Sequence, residues 1–141
     1  MLELGEEYLS GMIVTEPMGA RIAEISESAT PFPHRKGNLY MIQYNLGWQN
    51  ASASPRYLAA AKRLYNFMTP FVSKSPRSSY LNYRDSDLGG NKDVNTSYEE
   101  ARVWGKAYFK GNFEKLALVK GNVDPENYFW SAKYPTLCFL S

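Results

Sequence analysis

The sequence predicts an α+β fold: part of an antiparallel sheet with helices packed on one side, then a C-terminal helical segment. Two observations carry this. Alternating apolar–polar stretches and stretches of helical spacing come in clusters, without the regular strand–helix alternation that builds a parallel sheet. The 141 residues are 44% hydrophobic and 21% charged, enough apolar mass for a core and too short a chain for two ordinary domains.

Residues 11–16 (Gly-Met-Ile-Val-Thr-Glu) read as a short strand broken by Pro17-Met18-Gly19. Residues 21–25 (Arg-Ile-Ala-Glu-Ile) alternate and read as a second strand, which would pair with the first in a hairpin-like unit. Residues 28–38 are a loop, because Pro31 and Pro33 each hold the preceding residue extended. Residues 39–48 make the best strand. Tyr40, Ile42, Tyr44 and Leu46 fall on one face, expected to enter the core, while Leu39, Met41, Gln43 and Asn45 fall on the other. An amide in mid-strand needs partners if buried, so Gln43 faces either water or a ligand.

Ser54-Pro55 then opens a helix, with serine as its cap and proline in its first turn. Tyr57, Leu58, Ala61, Leu64, Tyr65 and Met68 follow helical spacing as one apolar stripe, and Pro70 ends it. A second helix is capped by Thr96 and Ser97 with Glu99 and Glu100 behind them. Val103, Trp104, Ala107 and Tyr108 form its inner side, and Gly111 stops it. A short third helix over 112–120 turns Phe113, Leu116 and Val119 inward, and residues 123–127 form a turn. From Trp130 onward no period is visible.

Between these helices lies the stretch around which the chain is organised, Tyr80-Leu81-Asn82-Tyr83-Arg84-Asp85-Ser86-Asp87-Leu88-Gly89. It reads as a strand that runs into a charged turn closed by glycine. Alternation sets Tyr83 with Leu81 and Ser79 on one face, and Tyr80, Asn82 and Arg84 on the other. A core strand would carry Val, Ile and Leu at such places. Either the tyrosines pack and hydrogen-bond through their tips, or the strand lines a site.

Composition excludes several functions. Sixteen basic against fourteen acidic residues leave +2, no footprint for nucleic acid or an anionic membrane, and Arg56, Lys62 and Arg63 read as a solvated helix face. The one cysteine, Cys138, allows no intrachain disulfide, and the one histidine, His34, cannot assemble a metal cluster. No apolar run nears the ~18 residues of a membrane span. The acidic start, Met1-Leu-Glu-Leu-Gly-Glu-Glu, lacks the basic and apolar regions of a signal peptide. Asn50-Ala51-Ser52 and Asn95-Thr96-Ser97 are glycosylation sequons in turn-rich sequence.

The organising stretch resembles the C-terminal signature of the plant berberine bridge enzyme-like (reticuline oxidase-like) flavoproteins. Other segments share that resemblance: residues 24–35 (with Pro31-Phe32-Pro33-His34-Arg35), 37–48 (Gly37-Asn38-Leu39-Tyr40, then Gln43-Tyr44 and Trp48), 64–77, 98–113 and 123–129. Coverage runs over roughly residues 10–129. The resemblance implies an FAD-linked oxidoreductase of the vanillyl-alcohol-oxidase type, acting on alcohols, phenolics, sugars or alkaloids, with oxygen as electron acceptor. It implies that residues 1–78 end the substrate-binding domain, that 79–141 complete the flavin domain, and that the FAD-binding half with its covalent attachment residues is absent. His34 and Cys138 do not match the attachment motifs. The family's secretory, extracellular or vacuolar location follows as an expectation, which the sequons fit.

By the same resemblance Tyr83 is the catalytic tyrosine, a base in some members, and Met41 and Gln43 are substrate-binding; Tyr80 and Asn82, on the opposite strand face, are the candidates for approaching the flavin, and no residue is expected to bind metal. A phenol with a pKa of about 10 is about one part in a thousand ionised at pH 7, so its use as a base costs about 4 kcal/mol unless a cation helps. Three departures count against catalysis. Met41 stands where some members carry lysine or glutamate, Pro17-Met18-Gly19-Ala20 where Pro-Tyr-Gly-Gly is usual, and Trp130 where arginine is common. Two readings therefore stand: part of a flavin oxidase that is inactive as the isolated chain, or a non-catalytic truncated remnant or protein-interaction domain. A tyrosine-rich binding domain unrelated to flavin is a third.

Overall fold

The computed structural model describes residues 9–83 and 85–132. The expectations for Arg84, Cys138 and the first eight residues lie outside them. Along the chain the elements are β1 (Leu9–Pro17), α1 (Arg21–Glu24), β2 (Tyr40–Trp48), α2 (Ser54–Met68), α3 (Tyr98–Phe109) and α4 (Asn112–Val123), with short 3-10 turns between them. This is an α+β fold whose sheet, among the described residues, has two antiparallel strands. The chain divides into two compact units interleaved in sequence: Met1–Met18 with Leu39–Lys74, and Gly19–Asn38 with Ser75–Ser141.

In the first unit β1 pairs with β2 from Leu9↔Trp48 to Pro17↔Tyr40, and the Met18 amide extends the ladder to the Leu39 carbonyl at 2.8 Å. The expected pairing of residues 11–16 with 21–25 is therefore corrected. Residues 21–24 are helical: Ala20 adopts φ 45° and the amides of Ile22 and Ala23 donate back to Gly19 and Ala20. Five alternating residues fit one helical turn as readily as a strand, and β2 offers β1 a nine-residue partner. The expected core face of β2 is corrected too. Tyr40 is 63% exposed, and Met41 to Asn45 are all half-buried, so neither face is sealed.

α2 begins one residue earlier than a serine cap would require. Residues Ala51–Ala53 form a 3-10 turn in which the Asn50 side chain accepts from the Ser52 amide, and Ser54 is already helical. The Ser54 hydroxyl instead accepts the indole N–H of Trp48 at 2.7 Å, and Trp48 packs against Tyr57. Tyr57 is buried as the stripe predicts, whereas Leu58 points out.

The second unit holds a true core. Ser97 and Glu100 close a capping box on α3, and the two hydrogen bonds from Ser97, backbone first, hold the Glu100 carboxyl below its usual range. Ala101, Trp104, Tyr108, Phe109 and Phe113 are buried together, with Leu81, Leu88, Tyr98 and Leu116 packed around them. Gly105 lets the Phe113 ring approach so closely that a Cβ there would lie 2.2 Å from it. Val103 and Val119 were expected inside and are exposed; Ala117 takes the inner position on α4 instead.

α4 runs to Val123, three residues past the expected end. Beyond it, Asp124 accepts the amides of Tyr128 and Phe129 and pairs with Lys120, whose ammonium is the main reason its carboxyl lies below the ordinary range. Asn91 then ties the segment down, donating its side-chain amide to the Ser131 carbonyl and its backbone amide to that of Ala132. Among the described residues no helix is long and apolar enough to cross a membrane.

Candidate functional site

The organising stretch is not a strand. Residues 80–83 form a turn, with the Tyr83 amide donating to the Tyr80 carbonyl at 2.9 Å, and Ser86–Leu88 form a 3-10 turn. Alternating aromatic residues are compatible with either state, and what decides is where this backbone finds partners. It finds them on α3. The Ser79 amide donates to the Ala107 carbonyl at 3.0 Å. The Tyr108 hydroxyl, in a ring 1% exposed, accepts the Asp85 amide at 3.1 Å and donates to the Asp85 carbonyl at 3.0 Å. Leu81 and Leu88 add apolar anchors to the core, and Gly89, at φ 93°, turns away against Trp104.

That anchoring decides where the candidate side chains go. Strand geometry would place Tyr80 and Tyr83 on opposite faces; on the turn their rings meet edge to face, 5.4 Å apart. Tyr80 and Asn82 do share a side, as expected, and the Asn82 amide donates to the Tyr80 hydroxyl at 2.8 Å. The turn thus gathers Tyr80, Asn82 and Tyr83: two half-buried phenols and an exposed amide. Met41 and Gln43 lie two apart on β2 in the first unit, opposite Glu16 and Val14 of β1, both half-buried.

Sequence reasoning passed over the support beneath the turn. The Pro-Phe-Pro-His-Arg loop is buried at Pro33, His34 and Arg35. Phe32 stands edge-on to both His34, at 5.2 Å, and Tyr80, at 5.5 Å, and the Arg35 guanidinium covers its ring at 4.8 Å. Asn112 holds this loop by donating to the carbonyls of Glu27 and Thr30, and Lys110 pairs with Glu27 at 2.6 Å. Burial is the main cause that keeps the His34 imidazole below its ordinary pKa, followed by the Lys110 charge. A run of two prolines around an aromatic residue, followed by the only histidine, was the available signal.

Residues 79–133 match the family model described as berberine and berberine like. The chain is 52% identical over 120 residues to berberine bridge enzyme-like 22 of Arabidopsis thaliana, covering 84% of this chain and 23% of that protein. It is 52% identical over 117 residues to tetrahydroberberine oxidase of Berberis wilsoniae, covering 83% of this chain and 22% of that one. Among solved structures, a grass pollen allergen with glucose dehydrogenase activity, Phl p 4, superposes with a TM-score of 0.81 at 48% identity, over 91% of this chain and 27% of the other. A variant of berberine bridge enzyme superposes with a TM-score of 0.81 at 37% identity, over 91% of this chain and 28% of the other. The chain spans about a quarter of the length of these relatives, and it belongs to the berberine bridge enzyme-like family.

Proposed function

We propose that this chain is part of an FAD-dependent oxidase acting on alcohol, phenolic, carbohydrate or alkaloid substrates with oxygen as electron acceptor. In this reading Tyr83 is the catalytic phenol, Tyr80 and Asn82 contact the flavin, and Met41 and Gln43 contact the substrate. The observation that carries it is the turn itself: Tyr80, Asn82 and Tyr83 are presented together on a segment bound to α3, within the residues that match the family model.

The residues suit a flavin. With the Asn82 amide on its oxygen, the Tyr80 hydroxyl keeps its own proton to donate, and a flavin edge is rich in acceptors for such a donor. FAD would supply the two-electron oxidation and pass the electrons on. The chain's own residues bind, orient and handle the proton. An ordinary phenol costs about 4 kcal/mol to ionise at neutral pH, and Met41 carries no charge, so in this reading Gln43 orients the substrate hydroxyl by hydrogen bonding alone. A secretory, extracellular or vacuolar glycoprotein fits Asn50 and Asn95, both exposed. Nucleic acid is not among the partners in this reading.

A non-catalytic remnant or interaction domain is the second reading, favoured by the uncharged Met41 and by Met18 and Trp130 at their departures from the family pattern. A graft separates the two. Residues 10–132 would replace the matching segment of berberine bridge enzyme-like 22, and flavin content and oxygen consumption would be measured. The proposal expects a yellow, active chimera whose turnover falls at least about 10²-fold on Tyr83→Phe. A flavin-loaded chimera that oxidises nothing would leave only the second reading. The isolated chain, mixed with FAD and passed through gel filtration, is expected to emerge colourless and inactive.

A further inference from the structure

His34 is a buried titratable group of the second unit that the proposed reaction does not use, and its surroundings connect it to the turn that the reaction does use. It is 7% exposed. The Ser79 backbone hydrogen-bonds its ring, which leaves Nε2 buried without a partner. Ser79 in turn grips what lies above and below: its amide donates to the Ala107 carbonyl of α3, and its hydroxyl reaches the Tyr83 carbonyl at 3.5 Å. A second connection runs through rings. His34 meets Phe32, Phe32 meets Tyr80, and Tyr80 meets Tyr83, each pair edge to face.

We propose that His34 is a positioning residue: as a neutral imidazole it clamps the base of the turn through Ser79 and Phe32, and on taking up a proton it shifts Tyr80, Asn82 and Tyr83. This rests on the functional reading only for why the turn's geometry matters. The neutral ring tolerates a bare lone pair at Nε2. The protonated ring has a charged N–H there with no acceptor, in a site removed from water. The charged groups around it oppose protonation on balance. Lys110, at the end of α3, and Arg35, on the same loop, both repel an imidazolium; Glu27 favours one but is already paired with Lys110. The ring must then move to find an acceptor, and Phe32 and Ser79 move with it.

The 141-residue chain has one histidine, so one set of imidazole resonances reports its protonation without ambiguity. Nuclear magnetic resonance of the labelled chain from pH 8 to pH 5 is expected to show a His34 midpoint below 6.5, the imidazole's ordinary value. The Asn82 side-chain amide and the Tyr83 backbone amide are expected to shift with that same midpoint. His34→Gln, which keeps a donor for Ser79 and does not titrate, should preserve their pH 8 positions and abolish their acid shift. His34→Leu should displace both at pH 8. If Asn82 and Tyr83 ignore the protonation of His34, or still shift in His34→Gln, the clamp is overturned. The readout needs no flavin, so an inactive chimera counts against the functional reading and not against this one.

Discussion

The two units differ in how they are held together. Around α3 and α4, Trp104, Tyr108, Phe109 and Phe113 share one buried cluster. In the unit of β1, β2 and α2, only Ala53 and Tyr57 are buried among the described residues, while Met12, Ile13, Phe67 and Phe71 are each more than half exposed. Yet β2 shows the cleanest alternation in the sequence. Periodicity specifies a backbone conformation, whereas burial needs something to cover the face that periodicity creates. A pair of strands alone is marginal in water. The candidate residues divide along the same line. Tyr80, Asn82 and Tyr83 are fixed to the well-buried unit, and Met41 and Gln43 ride on the thin ribbon.

Removing the centre of the cluster tests this contrast hardest. Phe113, 1% exposed, packs against the rings of Tyr98, Trp104 and Phe109. Phe113→Ala is expected to cost about 3–5 kcal/mol, read by urea unfolding, with hydrogen exchange showing α3 amides losing protection first. A loss below about 1 kcal/mol would erase the difference between the units. Gly105→Ala comes next, at about 1–3 kcal/mol, because its Cβ would sit inside contact distance of that ring. Combining it with Phe113→Leu sharpens the claim: the double variant should cost less than the sum of the two, and strict additivity would show that the ring is not what the new methyl meets. Ser97→Ala should cost about 1 kcal/mol by opening the capping box, again read on α3.

What could be read from the sequence follows the same physics. The capping box was plain, since Ser97 and Glu100 act on backbone groups three residues away and need nothing else from the fold. The inner positions Trp104, Ala107, Tyr108 and Phe113 were plain too, because helical spacing names a face. Val103 and Val119 failed at the edge of that face, where one step along the helix decides between core and water. The turn of residues 80–83 failed for another reason. The backbone on either side of it, at Ser79 and Asp85, is satisfied by Ala107 and Tyr108, more than twenty residues downstream, and no local pattern encodes a hydroxyl that both accepts from and donates to Asp85. The candidate residues themselves stand out in the sequence as a motif. Their meeting, Tyr80 against Tyr83 with Asn82 on the phenol, does not. Residues 21–24 show the limit of short windows, where alternation over five residues describes a helical turn equally well.

The smallest expected effect falls on the ribbon. Ile13 lies mid-strand in β1 opposite Tyr44, where a core residue would normally sit, and is 59% exposed. If its face is open, Ile13→Ser removes little buried area and should change stability by less than about 0.5 kcal/mol, with the exchange of α3 amides untouched. The size alone does not make this a weak test. An isoleucine at the centre of a β-strand is among the residues most often buried, so a near-zero cost there is a result that an ordinary two-layer sheet would not give. A cost of about 2 kcal/mol or more would mean that this face is covered in solution. The contrast between a thin ribbon and a self-sufficient helical unit would then fail at the ribbon, while the capping-box and Phe113 results would still describe the helices.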